Sequence, residues 1–196
     1  MIFHPYFEED SRRTHTYFEY VFRHQDQTNF RVYLELTFND GSKQEHFKRS
    51  FHEAHRLIFN QRDPEKITGA YLGLHPRKKK SFNKKSCAGI CVLGVEITLI
   101  NSRILPLDFS TLVRLHCFQE FPPSAIIHVA PERLILLWCL DDIWLRTADN
   151  IDLMDKFFEA SKVFQDDFYG YRVKVISDLE YVIPMPGLLN LGLIKI

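Results

Sequence analysis

A single carboxylate opens the chemistry of this chain. Glu96 stands inside the apolar run Gly89-Ile90-Cys91-Val92-Leu93-Gly94-Val95-Glu96-Ile97-Thr98-Leu99. A charge in a buried strand is costly unless it is paired or bound to metal. Glu96 is therefore a metal ligand, a strand residue beside an open sheet face, or the partner of a cationic side chain. Gly94, two residues earlier, marks a bulge or a close backbone approach. A second chemical feature is basic. Arg77, Lys78, Lys79, Lys80, Lys84 and Lys85 put six cations within nine residues, with Phe82 among them. Such a run suits phosphate contact with a ring to stack on a base, or a solvated loop.

Other groups are better explained without chemistry. His52 and His55 share a helix face, but a surface and a half-buried histidine are the simpler reading, and His116 beside Cys117 reads the same way. Trp138 and Trp144 belong to apolar surroundings and read as core. Asp141-Asp142 follows a strand and fits a turn. Cys87, Cys91, Cys117 and Cys139 form no CxxC pair, so they read as reduced thiols of a cytoplasmic protein rather than a zinc site. The aromatic N-terminus (Phe3, Tyr6, Phe7, Tyr17, Phe18, Tyr20, Phe22) reads as packing for the core or a partner surface.

Periodicity places these residues on elements. Phe30 to Phe38 alternates apolar and polar, the pattern of a half-buried strand. Asn39-Asp40-Gly41 is a hairpin turn signal, with a return strand over Ser42 to Lys48. Ser50 to Asn60 is a short helix with Phe51, Ala54, His55 and Ile58 on one face, Ser50 as cap and Glu53 three residues on. Asp63-Pro64 stops it. A strand over Ile67 to Leu74 runs into the basic loop and then the Glu96 strand. A helix near Asp108 to Gln119 follows. Strands over Ala125 to Val129 and Leu134 to Leu140 are joined by a Pro131-Glu132-Arg133 turn. Asp149 or Asn150 caps a helix whose face carries Met154, Phe157, Ser161 and Phe164. Tyr171, Val173 and Val175 mark a last strand. Hairpins mixed with helices predict an α+β fold, a mainly antiparallel sheet with helices packed on it.

The bulk numbers set the frame. The 196 residues carry 45% hydrophobic and 14% aromatic residues, enough for a packed core without staples. Lys plus Arg and Asp plus Glu number 25 each, so no overall field steers the chain toward nucleic acid, although a local patch can. No apolar run approaches the ~20 residues that a membrane helix needs. The start, MIFHPYFEED, lacks the basic and apolar regions of a signal peptide.

Four pieces in order resemble the archaeo-eukaryotic primase superfamily, especially its small plasmid-replication and prim-pol relatives. Ala70-Tyr71-Leu72-Gly73-Leu74-His75-Pro76-Arg77 is similar to an apolar strand ending in a Gly-x-x-Pro-Arg turn. The Glu96 strand sits where that family carries two carboxylates two residues apart. Trp138-Cys139-Leu140 resembles the end of the strand in which a Ser-Gly-x-Gly-x-His motif precedes a tryptophan. Residues Asp178 to Asn190 are similar to the closing Asp-x-x-Arg-x-x-Arg-x-Pro-Gly-x-x-Asn segment. The likeness spans about residues 30 to 190.

The resemblance implies a two-layer primase-like fold with an RRM-like sheet. It implies one primase-like domain over residues 1–196, the N-terminal or a truncated part of a larger replication protein. In that family, divalent metals bind a triphosphate and activate a 3′ hydroxyl, held by acids matching Gly94 and Glu96 and by a third matching Asp178, with Asp166 and Asp167 as other candidates. Here only Glu96 remains of the pair. The histidine motif falls on Ala130 to Ile135, with Ile135 at the histidine and Pro131 where a backbone N–H would meet phosphate; His128 lies close by. Tyr181 and Pro184 replace the two arginines of the closing segment, while Pro186, Gly187 and Asn190 remain.

The expectation is a catalytically degenerate primase-like domain that binds single-stranded DNA or RNA, or a replication partner, in plasmid or mobile-element replication. Arg77, Lys78, Lys79, Lys80, Lys84 and Lys85 would carry phosphate contacts, and no cofactor is expected. One alternative is an active divergent nucleotidyltransferase using magnesium or manganese held by Glu96 and Asp178. Another is a protein-interaction domain without nucleic acid.

Overall fold

The computed structural model describes residues 2–3, 29–60, 66–100, 121–130, 132–163, 165–168 and 170–185. Its elements form an α+β fold of two mainly antiparallel sheets. The first strand, β1 (Ile2–Phe3), is short. Strand β2 (Val32–Phe38) turns at Asn39-Asp40-Gly41 into β3 (Lys43–Lys48). Gly41 takes φ 81°, a conformation open to glycine, and Asp40 Oδ1 accepts from Ser42 N at 2.8 Å. Helix α1 (Phe51–Phe59) starts at Ser50, whose hydroxyl accepts from Glu53 N at 3.1 Å. Phe51, Ala54 and Ile58 are its buried face, as the periodicity predicts.

Strand β4 (Ile67–Gly73) joins β2, and β10 (Val182–Pro184) joins β4, giving a four-stranded sheet ordered β10-β4-β2-β3. The other sheet holds β5 (Gly89–Leu99), β6 (Ala125–Ala130), β7 (Arg133–Leu145), β8 (Gln165–Phe168) and β9 (Tyr171–Val175) beside β1. Its order is β1-β6-β7-β5-β9-β8. The inner run β6-β7-β5-β9 is the second-third-first-fourth order of a split β-α-β sheet, the RRM-like arrangement. Helix α2 (Ile151–Lys162) connects its third and fourth strands.

The near-continuous apolar runs of β6 and β7 follow from burial on both faces. Ala125, Ile127, Ile135 and Leu137 join Val32, Leu34, Leu36, Ala70 and Leu72 in a core shared with the four-stranded sheet and α1. Ile126, Leu134 and Leu136 face the opposite way, with Ile97 and Tyr171. Helix α2 lays Met154 and Phe158 against Cys87, Ile90 and Leu179.

Several details differ from the sequence pattern. The core face of α2 is Met154 and Phe158, not the stripe through Phe157 and Ser161; Phe157 is 40% exposed and meets Trp144 edge-on. Asn150 begins α2 without capping it, because its side chain accepts from Thr147 N and donates to Leu145 O. Asp141 and Asp142 extend β7 instead of turning, with their side chains in solvent. Strands β1, β8 and β10 carry no clear signal of their own. The expected helix near 108–119, the 63–64 stop, Phe164, Pro131, His116, Cys117, the 186–190 turn and nearly all of the aromatic N-terminus lie outside the described residues.

Candidate functional site

The Glu96 strand forms as read, over the whole of Gly89–Leu99. Its neighbours are β7 and β9: Glu96 pairs with Ile135 on one side and Lys174 on the other. Residues 94, 96 and 98 share a face by strand alternation. Thr98 pairs with Arg133, the first residue of β7, so Arg133 lies diagonally across from Glu96. Arg133 Nε donates to Glu96 Oε1 at 3.0 Å and Nη2 to Oε2 at 3.1 Å. This is the two-pronged guanidinium–carboxylate geometry, the stronger form of ion pair.

Tyr181 completes the group from the segment that leads into β10 of the other sheet. Its hydroxyl donates to Glu96 Oε2 at 2.7 Å and accepts from Arg133 Nη2 at 3.1 Å. Thr98 Oγ1 reaches Glu96 Oε1 at 3.4 Å. Three side chains from three segments thus close a ring of hydrogen bonds. Partial burial pushes the Glu96 carboxyl up, but the hydrogen bonds from Tyr181 and Arg133 and the Arg133 charge outweigh it, leaving it below the usual carboxylate range. The Tyr181 hydroxyl is held far above its ordinary value by burial and by Glu96.

A cavity of about 640 Å³ opens beside this ring, between the two sheets. Gly69, Ala70, Tyr71, Val182 and Pro184 form its wall on the four-stranded sheet, and Val129 and Arg133 its wall on the other. Asp178, Glu180 and Tyr181 cross between them. Asp178 is exposed and accepts from Glu180 N at 2.8 Å. The structure therefore brings Asp178 to the cleft whose floor Glu96 adjoins through Tyr181 and Arg133. Asp166 and Asp167 lie apart on β8, the outer strand, where Asp167 pairs with Arg172 at 3.2 Å.

Gly94 is a close approach, as one reading of it holds. A Cβ there would lie 2.8 Å from Ile176 Cδ1 and 3.3 Å from Ile176 Cβ. Ile176 N also donates to Gly94 O at 2.9 Å. Ile135, at the place of the expected histidine, is fully buried.

The basic loop is folded rather than free. Arg77 has no exposed surface. It donates to Leu179 O and to Asn83 O, and its guanidinium carbon lies 4.2 Å from the Phe82 ring centre. This corrects the expectation that Arg77 meets phosphate: the side chain is fully buried, with both terminal nitrogens bonded to main-chain carbonyls. Phe82 is likewise occupied, stacked on Tyr33 at 3.7 Å between ring centres. Lys78 Nζ donates to Arg146 O at 2.7 Å, and Lys84 pairs with Asp155 of α2 at 3.3 Å. Lys79, Lys80 and Lys85 remain exposed. The loop adjoins the cleft, since Lys84 N donates to Glu180 Oε1 at 2.8 Å and Arg77 holds Leu179.

The residues do not fit a divalent metal. Magnesium and manganese take hard oxygen ligands with free lone pairs. Both Glu96 oxygens already accept from protein donors, one of them a cation. Among the described residues no group of three or more His, Cys, Asp or Glu converges on a point. Cys87 and Cys91 are buried among apolar neighbours.

Sequence reasoning left Arg133 in a turn and Tyr181 as a lost arginine. The available signal was the inward carboxylate itself, which demands a cation across the sheet. Which cation depends on the β5–β7 register, and that register is set by contacts 37 residues apart in the chain.

Among the described residues no helix is long and apolar enough to cross a membrane. No protein-family model matches the chain, and no curated protein or solved structure matches it significantly.

Proposed function

We propose that this chain is a primase-like domain without polymerase chemistry, which binds single-stranded DNA or RNA beside the cleft between its sheets during plasmid or mobile-element replication. The observation that carries the binding is the position of the basic loop. Exposed Lys79, Lys80 and Lys85 project from a loop whose backbone is bonded to the Leu179–Glu180 segment at the cleft. Exposed lysines add affinity by displacing counterions from phosphate, so binding weakens steeply with salt.

The Glu96 ring argues for lost chemistry. In the primase-like reading, position 96 is where a metal-binding acid belongs, and here that acid is bonded to Arg133 and Tyr181. An active nucleotidyltransferase would need it released.

The test is fluorescence anisotropy with labelled single-stranded DNA and RNA of mixed sequence at low salt. Unmutated protein binds, and the combined change of Lys79, Lys80 and Lys85 to Glu abolishes binding. Absence of binding by the unmutated protein sinks the proposal. Primer synthesis by the unmutated protein in magnesium or manganese would replace it with the active-enzyme reading.

A further inference from the structure

Glu96 has four acceptor positions, and protein donors meet all of them. Oε1 takes Arg133 Nε and the Thr98 hydroxyl; Oε2 takes Arg133 Nη2 and the Tyr181 hydroxyl. One guanidinium matches one carboxylate, and Gly94, packed under Ile176, leaves no room for a second acid on that face. From this we infer that Arg133 is a tethered cation standing in for a divalent metal, so that the cleft works independently of metal ions. The inference rests on the primase-like reading for the meaning of position 96.

The chemistry suits the substitution. A guanidinium is charged at every pH the protein meets, spans both oxygens of a carboxylate, and is part of the chain. Arg133 Nη1 has no hydrogen-bond partner among the described residues, and Arg133 lines the cavity with 39% of its side chain exposed. Its free N–H groups therefore give an anionic ligand group a direct donor, where a metal site would place the ion. Removing Arg133 would leave Glu96 as an unmatched, partly buried carboxylate. Asp178 and Glu180 also line the cavity, so the local field there would turn strongly negative and attract a divalent cation by charge, although the three carboxylates do not converge as a ligand set.

The test measures thermal unfolding of the full chain with MnCl₂ and then with EDTA, for unmutated protein, Glu96→Gln, Arg133→Gln and the double variant. Unmutated protein shows no more response to Mn²⁺ than Glu96→Gln does. Arg133→Gln gains a response, about 4 °C in Tm at ten times the dissociation constant, which EDTA reverses. The double variant loses it. A Mn²⁺ response of the unmutated protein that Glu96→Gln removes overturns the inference, and this arm stands even if Arg133→Gln does not fold. A folded Arg133→Gln that gains nothing over unmutated protein also overturns it. Oligonucleotide binding in EDTA separates the two proposals. Without any such binding the proposed function fails while the metal result stands; with binding, and with Mn²⁺ held at Glu96, only the tethered-cation inference fails.

Discussion

Arg77 lies over the face of Phe82, its guanidinium carbon 4.2 Å from the ring centre. The same ring stacks on Tyr33, and Gly73 makes the stack fit, since a Cβ there would lie 3.0 Å from Phe82 and 3.1 Å from Tyr33. A buried arginine needs its donors met: carbonyls of Asn83 and Leu179 take one N–H from each terminal nitrogen, while Nε has no hydrogen-bond partner among the described residues. Arg77 therefore ties the basic loop and the Leu179 segment to the four-stranded sheet. Arg77→Ala removes that anchor, orphans two carbonyls and leaves a cavity. It costs about 3 kcal/mol or more in urea denaturation. A selective loss of oligonucleotide affinity without loss of stability would show that Arg77 contacts the ligand.

His75 is 1% exposed, and neither ring nitrogen has a hydrogen-bond partner among the described residues. Burial, and secondarily the Arg77 charge, push its pKa down to about 3. The folded state thus holds His75 neutral where the unfolded chain, with a pKa of about 6.5, takes up a proton. Stability is full above that value and falls as pH drops toward the folded value. At pH 5 the loss is about 2 kcal/mol. His75→Leu removes this slope, so its unfolding free energy is flatter between about pH 6.5 and pH 4. Equal slopes in the two proteins over that window would refute the assignment.

The local features of the fold were legible where chemistry and period act over a few residues. Alternation marks β2, the Asn39-Asp40-Gly41 turn follows from positive φ at Gly41, and Ser50 caps α1 through an oxygen three residues from its donor. What stayed hidden depends on distant partners. The spacing of α2 allows more than one apolar stripe, and Cys87, Ile90 and Leu179 decide that Met154 and Phe158 face inward. A run of cations in sequence says nothing of which ones fold back. Arg77 turns inward onto Leu179, 102 residues away, while Lys79 and Lys80 beside it stay in solvent. Glu96 was identified, but its cation and its phenol lie 37 and 85 residues away.

Glu96 gives a separate acid limb. Although burial opposes ionisation, the bonds from Tyr181 and Arg133 hold its carboxyl below the ordinary range. Its contribution to stability is therefore full above the unfolded carboxylate value of about 4.3 and disappears as pH falls through the lower folded value. Glu96→Gln keeps the shape and drops the charge. It is less stable than unmutated protein at neutral pH, and the difference narrows below about pH 4. Tyr181→Phe, which removes one donor to the same oxygen, narrows the difference in the same direction by a smaller amount. An undiminished gap at pH 3 would mean that the carboxylate is not the group responsible.

Gly94 decides whether a second acid fits on the Glu96 face of β5. Its missing Cβ is what lets Ile176 sit on β5, with Ile176 Cδ1 2.8 Å and Cβ 3.3 Å from the added atom. The Ile176 tip can swing aside, but its Cβ is fixed to a backbone that is itself bonded to Gly94 O. Gly94→Ala therefore costs about 1–3 kcal/mol from overpacking. Gly94→Asp costs more, because the new carboxylate points into the shared apolar core without a partner while Arg133 is already matched to Glu96. Ile176→Ala made together with Gly94→Asp recovers part of the steric loss and none of the charge penalty. Neither variant incorporates nucleotides in magnesium or manganese. Urea midpoints of the four proteins, with a primer-extension assay on the same samples, check this. Template-dependent incorporation by Gly94→Asp would overturn this prediction and favour the nucleotidyltransferase reading of the Glu96 face.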